Sequence, residues 1–388
     1  MPSAYLNGFA EAARADRELA ERYVTATRIG DPAADAVMAE LAEFDEARVQ
    51  GWIRAGIEAD PSALADAPPA TRAFFADIEA APAWFDEAAV LPGCRAFHRN
   101  SEMFIGAFVA AVLVEGFSTL ISQSFSITGR VTDQGVRRLK QNNRHLVEIF
   151  LPGGLDRHGD GWKLSVRIRL LHARIRQLLT HSAEWDAAAW GTPLSAAHMA
   201  FATAAFSGLL LKRAAMLGVS LSDEERDSFM LIWRYAGHLM GVPENLLIQS
   251  QADALRLVEI GLLCEPAPTL ESVILSNGLI NSAPVVAGIG SRKERLSLTG
   301  KIYRISRALI GDELADQLNY PPMNTTGTLA AIRLKNGLEK LLHRISPSLG
   351  GKRRASQFQT MLSVSLYADE GIRYRLPGEL HAERDAEL

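Results

Sequence analysis

The sequence predicts an all-α protein, a single large helical domain. Ala, Leu and Arg outnumber the β-branched residues, and 48% of the 388 positions are hydrophobic. That balance favours helices around a large buried core. Apolar residues recur at the three- and four-residue spacing of a helix in one stretch after another. No clear strand pattern and no repeat of roughly 20–50 residues accompanies them.

In chain order, residues 8–29 and 33–57 read as amphipathic helices parted by the breaker Gly30-Asp31-Pro32. Asp60-Pro61-Ser62 and Ala67-Pro68-Pro69 punctuate a third, shorter helical region. Pro82-Ala83-Trp84-Phe85-Asp86 begins the next turn, and Leu91-Pro92-Gly93 ends it. The expected division is an N-terminal helical segment over 1–80, a core over 81–345 and a tail over 346–388. Between 103 and 129 a single charge, Glu115, stands in twenty-seven residues. That is long enough to span a bilayer. Its second half, GFSTLISQSFSITG, is crowded with Ser, Thr and Gln, which a lipid-facing helix would not choose. Two buried core helices, or one kinked near Gly116, are expected there, with no stable membrane span.

Thr132-Asp133 caps a helix over 134–150, on which Arg138, Gln141, Asn142 and His145 share one polar face by their spacing. Pro152-Gly153-Gly154 ends it. The next helix, 162–182, carries Leu164, Ile168, Leu171, Ile175 and Leu178 as an apolar stripe. His172 lies at the edge of that stripe, flanked by Arg169 and Arg176, while Arg167 and Arg174 fall on the opposite, solvated side. An imidazole at an apolar border with two cations beside it suits a haem, which needs a nitrogen ligand, apolar walls and partners for its propionates. On these residues alone the plainer reading, a satisfied histidine at a helix interface, is preferred, since a lone histidine is a weak signal. Further helices are expected at 195–217, after the capping signature Ser222-Asp223-Glu224-Glu225, and at 249–262, 268–278, 303–317 and 326–344.

Several function classes are disfavoured. A net charge of −4 offers nothing to nucleic acid. No HExxH or paired-cysteine spacing marks a zinc site, and the nine histidines are scattered. His198 and His238 lie on apolar helices and remain alternative iron ligands or packed core residues. No GxGxxG, Walker or GxSxG motif is present. The N-terminal stretch has no signal-like apolar run, so the expected location is cytoplasmic.

The blocks TGRVTDQGVRRLKQNN, VRIRLLHARIR, WDAAAWGTPLSAAHMAFATAAF and WRYAGHLMGV resemble the haem-b oxygenases that include latex-clearing proteins and the mycophenolate-pathway oxygenase. The resemblance covers roughly residues 80–262. It implies haem b bound through iron to His172, with Arg138 in the haem-pocket signature and Asn142 where the family commonly has threonine. By implication Arg138 and Arg176, beside Arg169, hold the propionates, and Gln141 or Asn142 donates to dioxygen. The reaction implied is oxygenation of an apolar, unsaturated, isoprenoid or lipid substrate. Two departures stand out. Gln141 occupies the place of a distal lysine, and Ser122-Gln123 that of a glutamate base. They favour a rival reading, a haem carrier, sensor or degenerate oxygenase that binds without turnover.

Overall fold

The computed structural model describes residues 1–128, 135–345 and 376–377, and among them every regular element is helical. The chain opens with α1 (Leu6–Ala26), α2 (Pro32–Leu41), α3 (Glu46–Ile57), α4 (Pro61–Leu64) and α5 (Pro69–Asp77). Aspartates set these starts. The side chains of Asp31, Asp45 and Asp60 each accept from the first-turn amides of α2, α3 and α4, and Pro32 and Pro61 occupy the first helical turn. Asp45 is why the single helix expected over 33–57 divides in two.

Next come α6 (Leu91–Arg99), α7 (Ser101–Ala107), a π-helical turn over Phe108–Val112, α8 (Leu113–Phe117) and α9 (Ile121–Ile127). The apolar run is therefore broken after Phe117 and buried along most of its length. No single helix among the described residues is long and apolar enough to cross a membrane. The pair 88–99 and 101–117 passes on length and composition but is bent by 84°.

The middle of the chain forms α10 (Gly135–Ile149), α11 (Asp160–Thr180), α12 (Ala187–Trp190) and α13 (Ala196–Ala204). A second π turn over Ala205–Leu209 leads into α14 (Leu210–Met216), and α15 (Asp223–Leu239) follows. Ser222 and Glu225 form the expected capping box on α15. The chain continues through α16 (Gln251–Cys264), α17 (Leu270–Val286), α18 (Arg292–Ile310), α19 (Asp312–Gln317) and α20 (Thr328–Ile345). Gly311, at φ 92°, separates α18 from α19 where one helix was expected, since a left-handed residue cannot continue a right-handed helix. The Thr132-Asp133 cap lies outside the described residues.

One hydrophobic core runs from Tyr5 to Tyr320 without a break near residue 80. Its centre is an aromatic stack. Phe97 lies 4.5 Å from Phe150, Phe150 lies 4.6 Å from Phe229, and Phe229 lies 5.1 Å from Phe104. The N-terminal helices belong to this core: α1 packs on α16, and α2 packs on α11. The two π turns touch each other, with Phe108 edge-on to Phe206 at 4.9 Å. Such turns rotate side chains out of the regular helical register and recur at functional sites. Here they bring Phe206 to the wall of a cavity.

Candidate active site

The cavity lies among α8, α9, α10, α11 and α13, with about 150 Å³ of free space. Leu113, Phe117, Ile121 and Phe125 form one apolar wall. Ile168, Leu171, Leu194, Met199 and Phe206 form the other. Polar groups enter from two helices: Gln141, Asn142 and His145 line it from α10, and His172 from α11. Thr203 of α13 completes the polar set. Helical spacing brings this about. Gln141 and His145 are one turn apart, as are Ile168 and His172, and each pair faces the same way.

His145 is buried, and its Nε2 lies 2.9 Å from Ser165 Oγ, which itself donates to the Gly161 carbonyl at 2.7 Å. The Ser165 proton is thereby used, so Nε2 of His145 is the donor and Nδ1 carries the lone pair. Burial pushes this ring down to about 4, which keeps it neutral.

The flanking arginines behave differently from the expectation. Arg169 reaches back to α2 and grips Asp31 through Nε (2.5 Å) and Nη2 (2.9 Å), with its guanidinium over the Phe74 ring. Gly241, at φ 81°, passes so close that a Cβ would stand 2.2 Å from the Asp31 carboxylate. Arg176 binds Asp35 through Nε at 2.7 Å and the Leu194 carbonyl through Nη1 at 2.7 Å. Neither guanidinium lines the cavity. Both complete buried or half-buried ion pairs with acidic partners that lie some 140 positions away in sequence, which no helical wheel displays. Nη2 of Arg176 is nonetheless buried without a hydrogen bond among the described residues.

Leu194, which Arg176 holds, has φ 44°, a left-handed conformation that costs a branched residue about 1–3 kcal/mol. Arg176 thus shapes the wall through Leu194. Arg174, expected in solvent, is half-buried and donates to the Pro377 carbonyl at 2.9 Å. Arg138 lies on α10, but its side chain is outside the described residues.

The remaining candidates fall away from the cavity. His198 joins a buried cluster in which Glu265 accepts from the Leu120 amide (2.9 Å), Tyr23 Oη (2.9 Å) and His198 Nε2 (3.2 Å). His238 packs against Trp84 and Tyr235 in an open groove. Ser122 bonds Thr119 and Ser272, and the Gln123 amide donates to Thr269 and Glu271. Glu115 is buried in a pair with Arg213. No carboxylate lines the cavity among the described residues. Sequence reasoning missed Thr203 and Ser165, whose hydroxyls on apolar helices gave no pattern to read.

The donor set fits a prosthetic group better than a bare ion. No three His, Cys, Asp or Glu side chains gather as a protein-only metal site among the described residues. Two imidazoles, His145 and His172, inside apolar walls, with amides on the same helix as the first, match what a macrocycle needs.

Comparison with known proteins places this architecture. The chain is 23% identical over 232 residues to the rubber oxygenase of Streptomyces sp. (strain K30), a match covering 56% of this chain and 54% of that protein. It therefore spans about half the length of that curated relative. Its fold resembles the structure of latex clearing protein LCP in the closed state, with a TM-score of 0.65 at 18% identity over 87% of this chain and 91% of that one. The family model described as ER-bound oxygenase mpaB/B'/Rubber oxygenase, catalytic domain, matches residues 94–335, more than half of the chain and every wall of the cavity. The chain belongs to that oxygenase family.

Proposed function

We propose that this protein is a haem-b-dependent oxygenase acting on an apolar, unsaturated, isoprenoid or lipid substrate, with His172 as the proximal iron ligand. The observation that carries the reading is His172 lining an apolar cavity together with the amides of Gln141 and Asn142, inside the stretch matched by the family. When bound, haem b supplies the redox chemistry with dioxygen that no side chain can. The protein supplies the rest. His172 donates a ring nitrogen to the iron. Gln141 and Asn142 can offer amide N–H groups to a polar diatomic or to substrate. The Leu, Ile and Phe walls hold an apolar substrate and exclude water. Arg138, with the remaining edge of Arg176, is assigned to the propionates.

A second reading, haem binding without turnover, is favoured by one specific feature. Gln141 stands where relatives carry lysine, and Ser122 is held by Thr119 and Ser272 where they carry a glutamate base. An absorption spectrum of purified protein, oxidised and reduced, tests for haem. Wild type should show a Soret band near one haem per chain, and His172→Ala should lose it while keeping its helical circular dichroism. Full haem loading of His172→Ala would end the assignment. Oxygen uptake with an unsaturated lipid then separates oxygenase from carrier.

A further inference from the structure

Two polar groups of the cavity present hydrogen-bond acceptors only. His145 uses its Nε2 proton on Ser165, leaving Nδ1 as a lone pair. Thr203 uses its hydroxyl proton on the Met199 carbonyl at 2.9 Å, leaving its oxygen lone pairs. Both line the same cavity, and both pack against α15. Trp233 and Gly237, one turn apart on α15, touch the His145 ring (centroids 6.0 Å apart) and the Thr203 methyl, which would stand 2.8 Å from a Cβ at Gly237. Phe206, one turn after Thr203, meets Trp233 at 5.5 Å and closes the group.

His145 is tied to Ser165, two turns before His172 on α11. A neutral acceptor in an apolar wall is poorly matched to a hydrocarbon and repels a carboxylate or phosphate. Its complement is an uncharged O–H donor.

We propose that the cavity recognises an apolar molecule bearing a hydroxyl, whose O–H donates to Nδ1 of His145 or to Thr203 Oγ1, the two acceptors of its lining. As a substrate class this rests on the oxygenase reading; as a ligand class it rests on the cavity alone. Gln141 and Asn142 carry both donors and acceptors and so do not choose between an alcohol and its ether. His145 and Thr203 do.

The test uses 3-methyl-2-buten-1-ol and its methyl ether, which are small enough for the free space and differ only in the donor. Binding is measured by ligand-observed NMR on the purified full chain, with haem content read from the Soret band of the same sample. The alcohol should bind about tenfold tighter than the ether or better, the range set by leaving a buried acceptor unmet. His145→Phe and the isosteric Thr203→Val should each narrow that ratio. If His145→Phe does not fold, Thr203→Val carries the comparison. Equal or tighter binding of the ether, no binding of either compound, or an unchanged ratio in the folded variants would overturn the assignment. A missing Soret band bears on the haem reading only, because the alcohol-to-ether ratio is measured with or without haem.

Discussion

Arg169 and Asp31 are each more than nine-tenths buried and bonded twice to each other. Removing one partner leaves an uncompensated buried charge, at a typical cost of about 3–5 kcal/mol. Arg169→Ala should therefore lose that much stability in haem-free protein, measured by urea denaturation. A propionate anchor would show no such loss without haem. Arg174→Ala, which removes half-buried hydrogen bonds to the neutral Pro377 carbonyl and Gln177 Oε1, should cost less, about 1–2 kcal/mol. His145 predicts a pH dependence of its own. Burial lowers its ring to about 4 from an ordinary 6.5, so between those values the unfolded chain binds the proton and the folded chain does not. Stability present above pH 6.5 is thus lost as pH falls towards 4, by up to about 3 kcal/mol. His145→Gln should flatten this part of the profile. A wild-type urea midpoint that falls no faster than the variant's between pH 7 and 4.5 would contradict the neutral buried ring.

Among the elements, α9 shows how a wall is held in place. Its first turn follows the break after Phe117, and the Leu120 amide there is bonded by Glu265 at the end of α16. Burial alone would push the Glu265 carboxyl up. His198, the Leu120 amide and the Tyr23 hydroxyl hold it below the ordinary range, so the carboxylate stays charged and ties α1, α13 and α16 to the base of α9. Glu265→Ala should cost about 3–5 kcal/mol by orphaning several donors at once. Tyr23→Phe, which removes one donor to that carboxylate, should cost less, about 1.5–3 kcal/mol. Comparable losses in denaturant midpoint for the two variants would refute this ranking. The helices themselves were legible in the sequence; the carboxylate joining them was not, because its partners lie 67 to 242 positions away.

At the scale of the whole molecule, the N-terminal helices are part of the cavity's support although the family match begins at residue 94. The Thr27 and Ile29 carbonyls accept from Thr192 and Ala196, on either side of the left-handed Leu194, and α2 supplies Asp31 and Asp35 to α11. Tyr5, Tyr23 and Val37 are buried in the same core as Phe229. A chain lacking residues 1–80 should therefore fail to fold, giving no cooperative thermal transition by circular dichroism. A cooperative transition near the wild-type midpoint would show that segment to be dispensable.

The sequence by itself determined the helical class, most of the helix positions and the capping box on α15, because each follows from spacing within a few residues. Through its resemblance it also indicated the family. Only the tertiary structure decided where the arginines beside His172 go. A helical wheel shows which way Arg169 and Arg176 point, but their partners Asp31 and Asp35 sit on a helix that packs there only in the folded chain. The same holds for the two acceptors of the cavity. The proton on His145 is assigned by Ser165 on the neighbouring helix, and Thr203 is packed against α15 at Gly237. Charge pairing, tautomer and cavity shape are properties of contacts between distant segments, and periodicity within one segment carries no record of them.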